Sequence, residues 1–350
     1  MVSAETVDFM TGILPVPIRR NCMSIASVKP LITVAGASSK QGRSVATALL
    51  ASGRYRVRAL GRRADSAPMR QLAALGAEVM VAPLELGRQG ELTAALRGSH
   101  GAYLMTPPTT PVPPPDQPEL ALGRELADAA QAAGVQHVVW SGLENVEART
   151  AGALWVPHFT EKALVEDYIR TLPVRSSFIY LAFFYSNFLE YYVPQRGADG
   201  SLTFAIYLPP DIPMPFVDPL TAAGPAVLEM FDHPETYLGK SVPVIGEVLT
   251  ARQMVDTFVR VTGQKAHYAS AYTREELLQH FPTFGQNEYL VRELVGMTQY
   301  AVEYGYYAPG RDLEWSRKVD PGALTWEMFL RSNQWQGGEV RYGLEPSAGE

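Results

Sequence analysis

Short apolar runs alternate with amphipathic segments from Pro30 onward, and this alternation restricts the possible folds more than any other feature of the sequence. The apolar runs have the length of strands, and the segments between them, such as residues 41–52 and 119–133, have the apolar spacing of helices. Strands that alternate with helices in this way form a parallel sheet covered by helices on both faces. The chain is therefore predicted to be an α/β protein with a Rossmann-type, doubly wound parallel sheet, which binds ligands at the carboxyl ends of its strands.

The pattern changes after Leu181, where loops lengthen and prolines recur at positions 209, 210, 213 and 215. Helical patterns dominate this second half, which we predict to be a smaller, mostly helical C-terminal lobe over the binding edge of the sheet. At about 150 residues per domain, 350 residues suit one large or two modest domains. The predicted divisions are a disordered leader at 1–29, a Rossmann domain at 30–178, a substrate or partner lobe at 179–335 and a flexible tail at 336–350. The boundary near 180 is soft, because later segments can cross back into the sheet.

The overall charge and the cysteine count exclude several classes of protein. Acidic residues outnumber basic ones, 36 against 30, and the net charge of −6 argues against a nucleic-acid partner, which requires clustered Lys and Arg. The single cysteine, Cys22, cannot form an intrachain disulfide or a multi-cysteine zinc site, so we expect no metal and a cytoplasmic location. No stretch of about 18 uninterrupted apolar residues is present, and we predict no membrane span.

A glycine-rich turn follows the first predicted strand and precedes the first predicted helix. Its two glycines, Gly36 and Gly42, are six residues apart, which suits a dinucleotide pyrophosphate bound at the helix N-terminus. The middle position, where glycine allows the closest approach of phosphate, is Ser39, whose hydroxyl can still donate a hydrogen bond. We predict nucleotide binding here, with a plain tight turn as the alternative. The predicted cofactor-binding residues of the turn are Gly36, Ser38, Ser39, Lys40, Gln41 and Gly42.

Two arginines, Arg62 and Arg63, follow the second predicted strand. An NAD-specific site usually has an acidic residue at this position, which accepts a hydrogen bond from the ribose 2′-hydroxyl. Guanidinium groups instead suit a 2′-phosphate, so we predict NADP(H), with NAD(H) as the alternative. Whichever arginine faces away from the pocket is expected to be a solvated loop charge.

Thr106 and Pro107 follow the fourth predicted strand and begin a segment with seven prolines between positions 107 and 118. So many prolines exclude a helix. This strand end lies beside the nicotinamide ribose in doubly wound folds, so Thr106 and Pro107 are predicted cofactor contacts. The segment is either a stiff flap over the cofactor or a rigid connector away from it.

The candidate catalytic residues are Ser141, at the end of the fifth predicted strand, and His158 and Lys162, one helical turn apart on the same face of the next helix. A lysine here can bind the nicotinamide ribose. A histidine titrates near neutral pH and can deliver a proton to a carbonyl oxygen, which Ser141 can orient. The alternative is structural, with a histidine that caps the helix and a lysine on a solvated face.

Aromatic residues are concentrated at 178–192, where eight of fifteen residues are Phe or Tyr. Most of these rings are expected to belong to the core. The stretch nevertheless leaves the sixth predicted strand where a substrate would enter, and tyrosine rings suit a planar aromatic ligand. The predicted substrate-binding residues are Phe184, Tyr185, Asn187 and Phe188, with a turn cap as the alternative for Asn187.

Several segments together resemble the NmrA-like family, a branch of the atypical short-chain dehydrogenase/reductases, and look most like its NADPH-sensing members. The similar segments are residues 36–46, 138–146, 150–152, 187–189, 193–195, 199–200 and 211–214, together with His158, Phe159 and Lys162. The resemblance covers about residues 30–335.

The resemblance implies a Rossmann-type domain that carries NADP(H) at the glycine-rich turn, with Arg62 at the 2′-phosphate and Lys162 at the ribose. It also implies that His158 replaces the tyrosine of the family's usual Tyr-x-x-x-Lys pair, as in the regulator-like members. The chain departs from the family at Ser39, where glycine is usual. It departs again in the aromatic richness of 178–192, which suits an enzyme of aromatic ligands better than a pure sensor.

Two functions remain open. The first is an NADP(H)-dependent reductase of an aromatic ketone or quinone, in which His158 or a bound water supplies the proton; such a reaction can support aromatic oxygenation in a biosynthetic pathway. The second is a catalytically silent regulator that senses NADP(H) and binds a protein partner. The missing tyrosine favours the regulator and the aromatic lobe favours the enzyme, which we prefer. The expected partner is a small aromatic substrate, and a homodimer or a protein partner is also compatible.

Overall fold

The computed structural model describes residues 28–113 and 115–343, so nearly all of the predicted leader lies outside the described residues. The strands are β1 (Leu31–Val34), β2 (Arg56–Gly61), β3 (Glu78–Val81), β4 (Gly101–Leu104), β5 (His137–Gly142), β6 (Arg175–Leu181), β7 (Phe183–Phe184), β8 (Gln195–Arg196), β9 (Leu202–Ile206), β10 (Met214–Val217), β11 (Ser241–Val244), β12 (Glu247–Leu249) and β13 (Ala266–Ser270). The helices are α1 (Lys40–Ser52), α2 (Ala67–Ala74), α3 (Gln89–Leu96), α4 (Pro118–Ala132), α5 (Val146–Arg149), α6 (Pro157–Thr171), α7 (Asn187–Glu190), α8 (Pro219–Asp232), α9 (Pro234–Tyr237), α10 (Ala251–Thr262), α11 (Arg274–His280), α12 (Glu288–Tyr304), α13 (Trp315–Val319) and α14 (Trp326–Asn333), with a 3-10 helix at Pro282–Gln286. Within the described ranges, no helix combines the length and apolar character needed to cross a membrane.

Seven strands form one sheet with the order β11-β6-β5-β4-β1-β2-β3, and every adjacent pair in it is parallel. The chain enters at β1 in the middle, runs outward to β3, and then crosses back to β4, β5 and β6, which is the doubly wound Rossmann order. Strands β1, β4 and β5 are buried along their whole length because helices cover both faces of the sheet. This burial explains why their sequences are mostly apolar, and the predicted fold class is confirmed.

Helix α1 begins directly beyond the carboxyl end of β1. Ser39 acts as its N-cap, since the Ser39 hydroxyl accepts the N–H of Gly42 at 3.1 Å. Helix α1 packs against α8 from the second half of the chain. A side chain at Gly224 would overlap the backbone of Ser44, and the Gly224 N–H donates to Ser44 Oγ at 2.8 Å. A helix from the second half thus lies against the first helix of the sheet domain.

The second half also supplies the seventh strand of the sheet. Strand β11 pairs in parallel with β6, with Ser241 opposite Phe178 and Val244 opposite Leu181. The sequence predicts a strand at 239–245 but assigns it to the second half of the chain. In the structure this strand belongs to the large sheet, although it follows the predicted domain boundary at residue 178. Two segments of the second half, α8 and β11, therefore return to the sheet domain, which is the exception that the sequence analysis allowed for.

The remaining second half forms a lobe that is mostly helical but also contains two three-stranded sheets, β12-β10-β7 and β13-β9-β8. The strands of these sheets were not predicted. They are only two to five residues long, and a proline lies inside β10, so their sequences lack the alternation that identifies a strand. The sequence pattern predicts a last helix at 321–332. Helix α14 begins later, at Trp326, because Thr325 caps it by accepting the N–H of Met328.

Residues 336–343 pack against the rest of the protein, which corrects the prediction of a flexible tail for this part. Tyr342 is buried, its hydroxyl donates to Asp218 Oδ2 at 3.0 Å, and its backbone N–H donates to Glu190 Oε1 at 3.0 Å. The Tyr342 ring also packs edge-on against Phe329, so burial of one aromatic side chain orders an otherwise polar segment. Residues 344–350 lie outside the described residues.

Candidate functional site

The glycine-rich turn joins β1 to α1 at the carboxyl edge of the sheet. Gly36 has a φ of +63°, which residues with a side chain rarely adopt. Gly42 lies so close to the turn that a Cβ there would overlap the carbonyl oxygen of Gly36. The two glycines therefore bring the N-terminus of α1, with its unpaired N–H groups, against the end of β1. This backbone arrangement fits the pyrophosphate of a dinucleotide.

The side chains of the turn are already partly engaged within the protein. Ser39 Oγ accepts the N–H of Gly42, while its own proton faces only the Met105 sulfur at 4.0 Å and stays available to a ligand. Lys40 forms an ion pair with Glu190 of α7 at 2.7 Å. Lys40 is therefore engaged by a carboxylate, whereas backbone N–H groups of a first helical turn are available to a phosphate.

Arg62 and Arg63 lie just beyond the carboxyl end of β2, and both are exposed. Because β2 pairs in parallel with β1, this end lies at the same edge of the sheet as the glycine-rich turn. Across residues 28–113 and 115–343, neither guanidinium has a hydrogen-bond or ion-pair partner. Both groups are therefore accessible to an anionic ligand such as a 2′-phosphate.

A cavity of about 320 Å³ opens at the carboxyl ends of β4, β5 and β6. Gln41 of the glycine-rich turn forms part of its wall, so the turn and the cavity adjoin. The polar and charged residues of the wall are Gln41, Thr106, Thr109, Glu119, Ser141, His158, Lys162, Asn187 and Glu293. Its aromatic residues are Phe159, Phe183, Phe184 and Tyr306, and its larger aliphatic ones are Met105, Leu143, Leu181, Leu290 and Met297.

The proline-rich segment borders this cavity. Pro108 and Thr109 contribute to the wall, next to Thr106 at the end of β4. Pro107, which lies in the chain between Thr106 and Pro108, is half-buried and does not line the cavity. The position of the proline-rich segment at the cavity agrees better with a flap over a ligand site than with a connector that lies away from it.

Lys162 is held by a buried counter-ion, which excludes the alternative of a solvated surface lysine. Its ammonium forms an ion pair with Glu119 and donates to Thr106 Oγ1 at 2.8 Å. Glu119 is only 1% exposed, and the Thr106 hydroxyl also donates to its carboxylate. A second carboxylate lies behind this pair, where Glu161 accepts the N–H groups of Glu119 and Leu120 at 2.9 and 3.0 Å. Burial raises the pKa of Glu161 above its usual value, and the nearby charge of Glu119 adds to this rise.

His158 is paired with a carboxylate from the C-terminal lobe. Glu293 Oε1 of α12 lies 2.6 Å from His158 Nδ1 and 2.9 Å from the His158 backbone nitrogen. Burial by itself would raise the pKa of Glu293, but the charge of His158 and its two hydrogen bonds lower this pKa below the ordinary value. His158 and Lys162 both line the cavity, as their spacing predicts.

Ser141 is bonded to the glycine-rich turn. Its hydroxyl donates to Gln41 Oε1 at 2.8 Å, and the same oxygen accepts the Tyr103 hydroxyl at 2.9 Å. Burial raises the pKa of Tyr103 well above its usual range, so its proton stays in place. Gln41 is therefore held at the junction between the turn and the cavity.

The aromatic stretch divides between the cavity and the core. Phe184 and Asn187 line the cavity as predicted, but Tyr185 and Phe188 do not. Tyr185 is fully buried and stacks on Phe216 with ring centroids 6.1 Å apart, and Phe188 lies parallel to Tyr207 at 6.0 Å. The prediction of Tyr185 and Phe188 as substrate-binding residues is therefore corrected: their side chains point into the lobe rather than toward its surface.

Two carboxylates of the cavity, Glu119 and Glu293, were not predicted from the sequence. A weak signal exists for Glu293, which lies in α12 three residues after Leu290 and four before Met297, on the apolar side of the helix. A charged residue in such a stripe is normally paired, but the sequence does not reveal the partner. Glu119 follows Pro118 at the start of α4 and resembles an ordinary acidic residue of a first helical turn.

A doubly wound parallel sheet with a dinucleotide-type glycine-rich turn and an adjoining cavity defines a Rossmann-type protein. Residues 28–330 match the model of the NmrA-like family, and the chain belongs to this family. It is 30% identical over 284 residues to the NmrA-like family domain-containing oxidoreductase lnbB of Aspergillus flavus, covering 77% of this chain and 84% of the relative. It is 28% identical over 253 residues to the nitrogen metabolite repression protein nmrA of Emericella nidulans, covering 70% of this chain and 69% of the relative.

Solved structures share this fold at lower identity. The crystal structure of NmrA, described as a negative transcriptional regulator in complex with NADP, matches with a TM-score of 0.68 and 24% identity, covering 87% of this chain and 94% of that one. The NADPH-dependent quinone oxidoreductase QOR2 of Escherichia coli, crystallised with NADPH, matches with a TM-score of 0.65 and 18% identity, covering 87% and 99%. A regulator and an enzyme therefore have the same architecture.

Proposed function

We propose that the chain is an NADP(H)-dependent oxidoreductase that reduces an aromatic ketone or a quinone. One arrangement carries the proposal: the cavity that contains Lys162 and His158 is bordered by Gln41 of the glycine-rich turn. A dinucleotide held at this turn adjoins the cavity, where a substrate finds both an ammonium and an imidazole. The oxidoreductases among the relatives support the same class of activity.

NADP(H) fits the residues at the carboxyl edge of the sheet. The close packing at Gly36 and Gly42 puts the N-terminus of α1 at this edge for the pyrophosphate, and Arg62 and Arg63, whose guanidinium groups have no partner among the described residues, suit a 2′-phosphate. NADP and NADPH are bound in two structures of the same fold, but NmrA has also been crystallised with NAD, so the preference for NADP(H) rests on the two arginines. When bound, the reduced nicotinamide supplies the hydride.

Each candidate catalytic side chain has a separate task in this proposal. Lys162 binds the nicotinamide ribose, and Glu119 holds the ammonium in place beside Thr106. His158 supplies the proton to the substrate oxygen. Ser141 offers only acceptor lone pairs to a ligand, because its proton is donated to Gln41.

The substrate in this proposal is a flat, uncharged molecule. Four aromatic rings line the cavity, and such rings pack well against a planar ring system. The charged groups of the wall pair with one another, Lys162 with Glu119 and His158 with Glu293, so the wall offers no uncompensated charge to an ionic substrate. Asn187 provides an amide for a ligand oxygen. A role of the product in aromatic oxygenation within a biosynthetic pathway is part of this proposal.

The second candidate is a regulator that binds NADP(H) without turnover and signals its redox state to a protein partner. Two points favour it. The resemblance to the family implies that His158 replaces the tyrosine of the usual Tyr-x-x-x-Lys pair, and the Lys162 ammonium is already paired with Glu119. The similarity to a nitrogen metabolite repression protein supports the same role. We prefer the enzyme because the cavity beside the turn is large enough for a small aromatic molecule and is lined by rings.

The discriminating experiment follows the loss of NADPH absorbance with a panel of quinones and aryl ketones, alongside NADPH binding by fluorescence titration. The proposal predicts turnover with a member of the panel and its loss in Lys162→Met. Lys318→Met, which removes an exposed lysine, is the matched control and should retain turnover. Tight NADPH binding without turnover would favour the regulator, and absence of binding would contradict both functions.

The setting of this activity is proposed from the sequence. The single cysteine and the acidic net charge suit a cytoplasmic protein that acts on a small molecule rather than on nucleic acid. Association as a homodimer or with a protein partner is part of the same proposal and is tested by light scattering with and without NADPH.

A further inference from the structure

We propose that Glu293 is a positioning residue that fixes the tautomer and the orientation of His158, so that His158 Nε2 is the atom presented to the substrate. The inference deepens the oxidoreductase proposal and rests on it. Glu293 is separated from His158 by 135 residues, and no feature of the sequence places its carboxylate near this histidine.

The geometry of the pair restricts the imidazole strongly. One oxygen of Glu293 lies 2.6 Å from His158 Nδ1 and 2.9 Å from the backbone nitrogen of the same residue. A carboxylate only accepts hydrogen bonds, so Nδ1 must carry the proton. The ring also packs edge-on against Phe159, with centroids 4.7 Å apart, which limits its rotation. Nε2 is then the only ring nitrogen left for a ligand in the cavity.

The surroundings strengthen the interaction between the two groups. Glu293 is 5% exposed, whereas the His158 side chain is 31% exposed, so the carboxylate is inside the protein and the imidazole reaches the cavity. Few water molecules can compete for Glu293, and the net effect of His158 is to keep it ionised. The other charged residues of the cavity wall are Lys162, one helical turn from His158, and Glu119, and these two neutralise each other.

This arrangement suits a proton donor in carbonyl reduction. For a carbonyl group to be reduced by a bound reduced nicotinamide, its carbon would receive a hydride, which is one hydrogen with two electrons, and its oxygen would then need one proton. Imidazolium His158 gives the proton from Nε2 and becomes neutral, while Nδ1–H stays bonded to Glu293. The carboxylate thus stabilises the charged donor before the transfer and keeps the neutral ring in the same tautomer after it.

The pair also links the two halves of the chain, because His158 belongs to α6 of the sheet domain and Glu293 to α12 of the lobe. Leu290 and Met297 of α12 line the same cavity. The helix that contributes apolar wall to the substrate site therefore also holds the proton donor.

The tautomer is tested directly by nitrogen-15 NMR of the full-length protein with labelled histidine, using His158→Gln to assign one of the six histidines. The wild-type protein should show neutral His158 protonated on Nδ1. Glu293→Met removes both hydrogen bonds and should shift the proton population toward Nε2. A wild-type His158 protonated on Nε2 would overturn the inference, and this result does not depend on turnover or on whether Glu293→Met folds.

Kinetics test the effect of the pair on proton transfer. Glu293→Gln keeps an acceptor oxygen but removes the charge, and we expect kcat for a quinone or aryl ketone to fall about ten-fold with KM little changed. The same substitution in a His158→Gln background should cause no further loss, because Glu293 acts only through His158. Glu303→Gln, on the exposed side of α12, is the matched control.

The two readouts separate the inference from the function on which it rests. Absence of turnover in the wild-type protein, with the Nδ1–H tautomer present, would contradict the oxidoreductase while leaving the positioning role of Glu293 intact. Turnover that falls equally on Glu293→Gln with and without His158 would contradict the positioning role while leaving the oxidoreductase intact.

Discussion

The hydroxyl of Ser141, at the end of β5, donates a hydrogen bond of 2.8 Å to the side-chain oxygen of Gln41 in the glycine-rich turn. The same oxygen accepts the hydroxyl of Tyr103 from the neighbouring strand. Two central strands of the sheet are thereby connected to the predicted cofactor-binding turn. The bond also engages the Ser141 proton, so Ser141 cannot donate to a ligand carbonyl while it is formed.

Ser141→Ala is therefore expected to reduce kcat far less than His158→Gln does. Its principal effect should be on stability, with a loss of about 1 kcal/mol in the free energy of unfolding for one buried hydrogen bond. Steady-state kinetics and urea unfolding measure the two effects. A Ser141→Ala variant that binds NADPH normally but has no turnover would show instead that Ser141 contacts the substrate directly.

Arg62→Ala is expected to weaken NADPH binding about ten-fold or more and to leave NADH binding unchanged, because only NADPH carries the 2′-phosphate. Fluorescence titration with both cofactors provides the measurement, and Arg63→Ala shows which guanidinium faces the phosphate. The matched control is Arg56→Ala, an exposed arginine at the opposite end of β2. Equal losses for NADPH and NADH would contradict the 2′-phosphate role.

Gly42→Ala is expected to lower the free energy of unfolding by about 3 kcal/mol, since the added methyl group would overlap the carbonyl oxygen of Gly36. NADPH affinity should fall as well, because the turn must open to admit the methyl group. Gly90→Ala is the control: this helical glycine faces open space, and alanine there should be neutral or stabilising by up to about 1 kcal/mol. Similar stabilities for both variants would show that the turn is less tightly packed than described.

Tyr185→Phe is expected to leave KM unchanged and to be neutral or slightly stabilising. Tyr185 lies in the core, and its hydroxyl has no hydrogen-bond partner among the described residues. Phe184→Ala should instead raise KM for an aromatic substrate, because Phe184 lines the cavity. Thermal unfolding and Michaelis kinetics distinguish the two; a raised KM in Tyr185→Phe would return Tyr185 to the substrate site.

His137 should make the folded protein sensitive to acid. Burial in β5, with smaller contributions from Arg175 and His100, lowers the pKa of His137 from 6.5 to about 4. The folded state disfavours the proton, so the stability contributed by neutral His137 is complete above pH 6.5 and is lost as the pH falls toward 4. This difference corresponds to about 3 kcal/mol.

Urea unfolding as a function of pH measures this loss. In His137→Gln the free energy of unfolding should depend less on pH between 6.5 and 4 than in the wild-type protein. His280, which is only half-buried, provides the control, since His280→Gln should keep the wild-type pH dependence. Identical profiles for all three proteins would place the acid sensitivity in other groups.

The sequence predicts the sheet domain well because its signals are local. Buried parallel strands such as β1 and β5 are mostly apolar, with central runs that the sequence shows directly. The turn before α1 also contains local signals, since Gly36 ends the strand and Ser39 caps the helix. His158 and Lys162 could be placed on one wall because both lie on one helix with a spacing of four residues.

Contacts between distant elements could not be predicted in this way. Glu119 and Glu293 meet Lys162 and His158 only because α4 and α12 pack beside α6, over sequence separations of 43 and 135 residues. In the aromatic stretch, the sequence shows which residues carry aromatic rings but not whether each ring faces the cavity or the core. Phe184 faces the cavity and its neighbour Tyr185 faces the core because of the path that the chain takes after β6.

The position of β11 at the edge of the sheet has a consequence for dividing the chain. Residues 30–178 alone would end within β6 and would lack the strand that pairs with its outer side. The unpaired N–H and C=O groups of β6 would then be open to pairing with other molecules, which promotes aggregation. Removal of α8 would also uncover the apolar side of α1. Residues 30–178 expressed alone should therefore aggregate rather than fold into a separate nucleotide-binding domain.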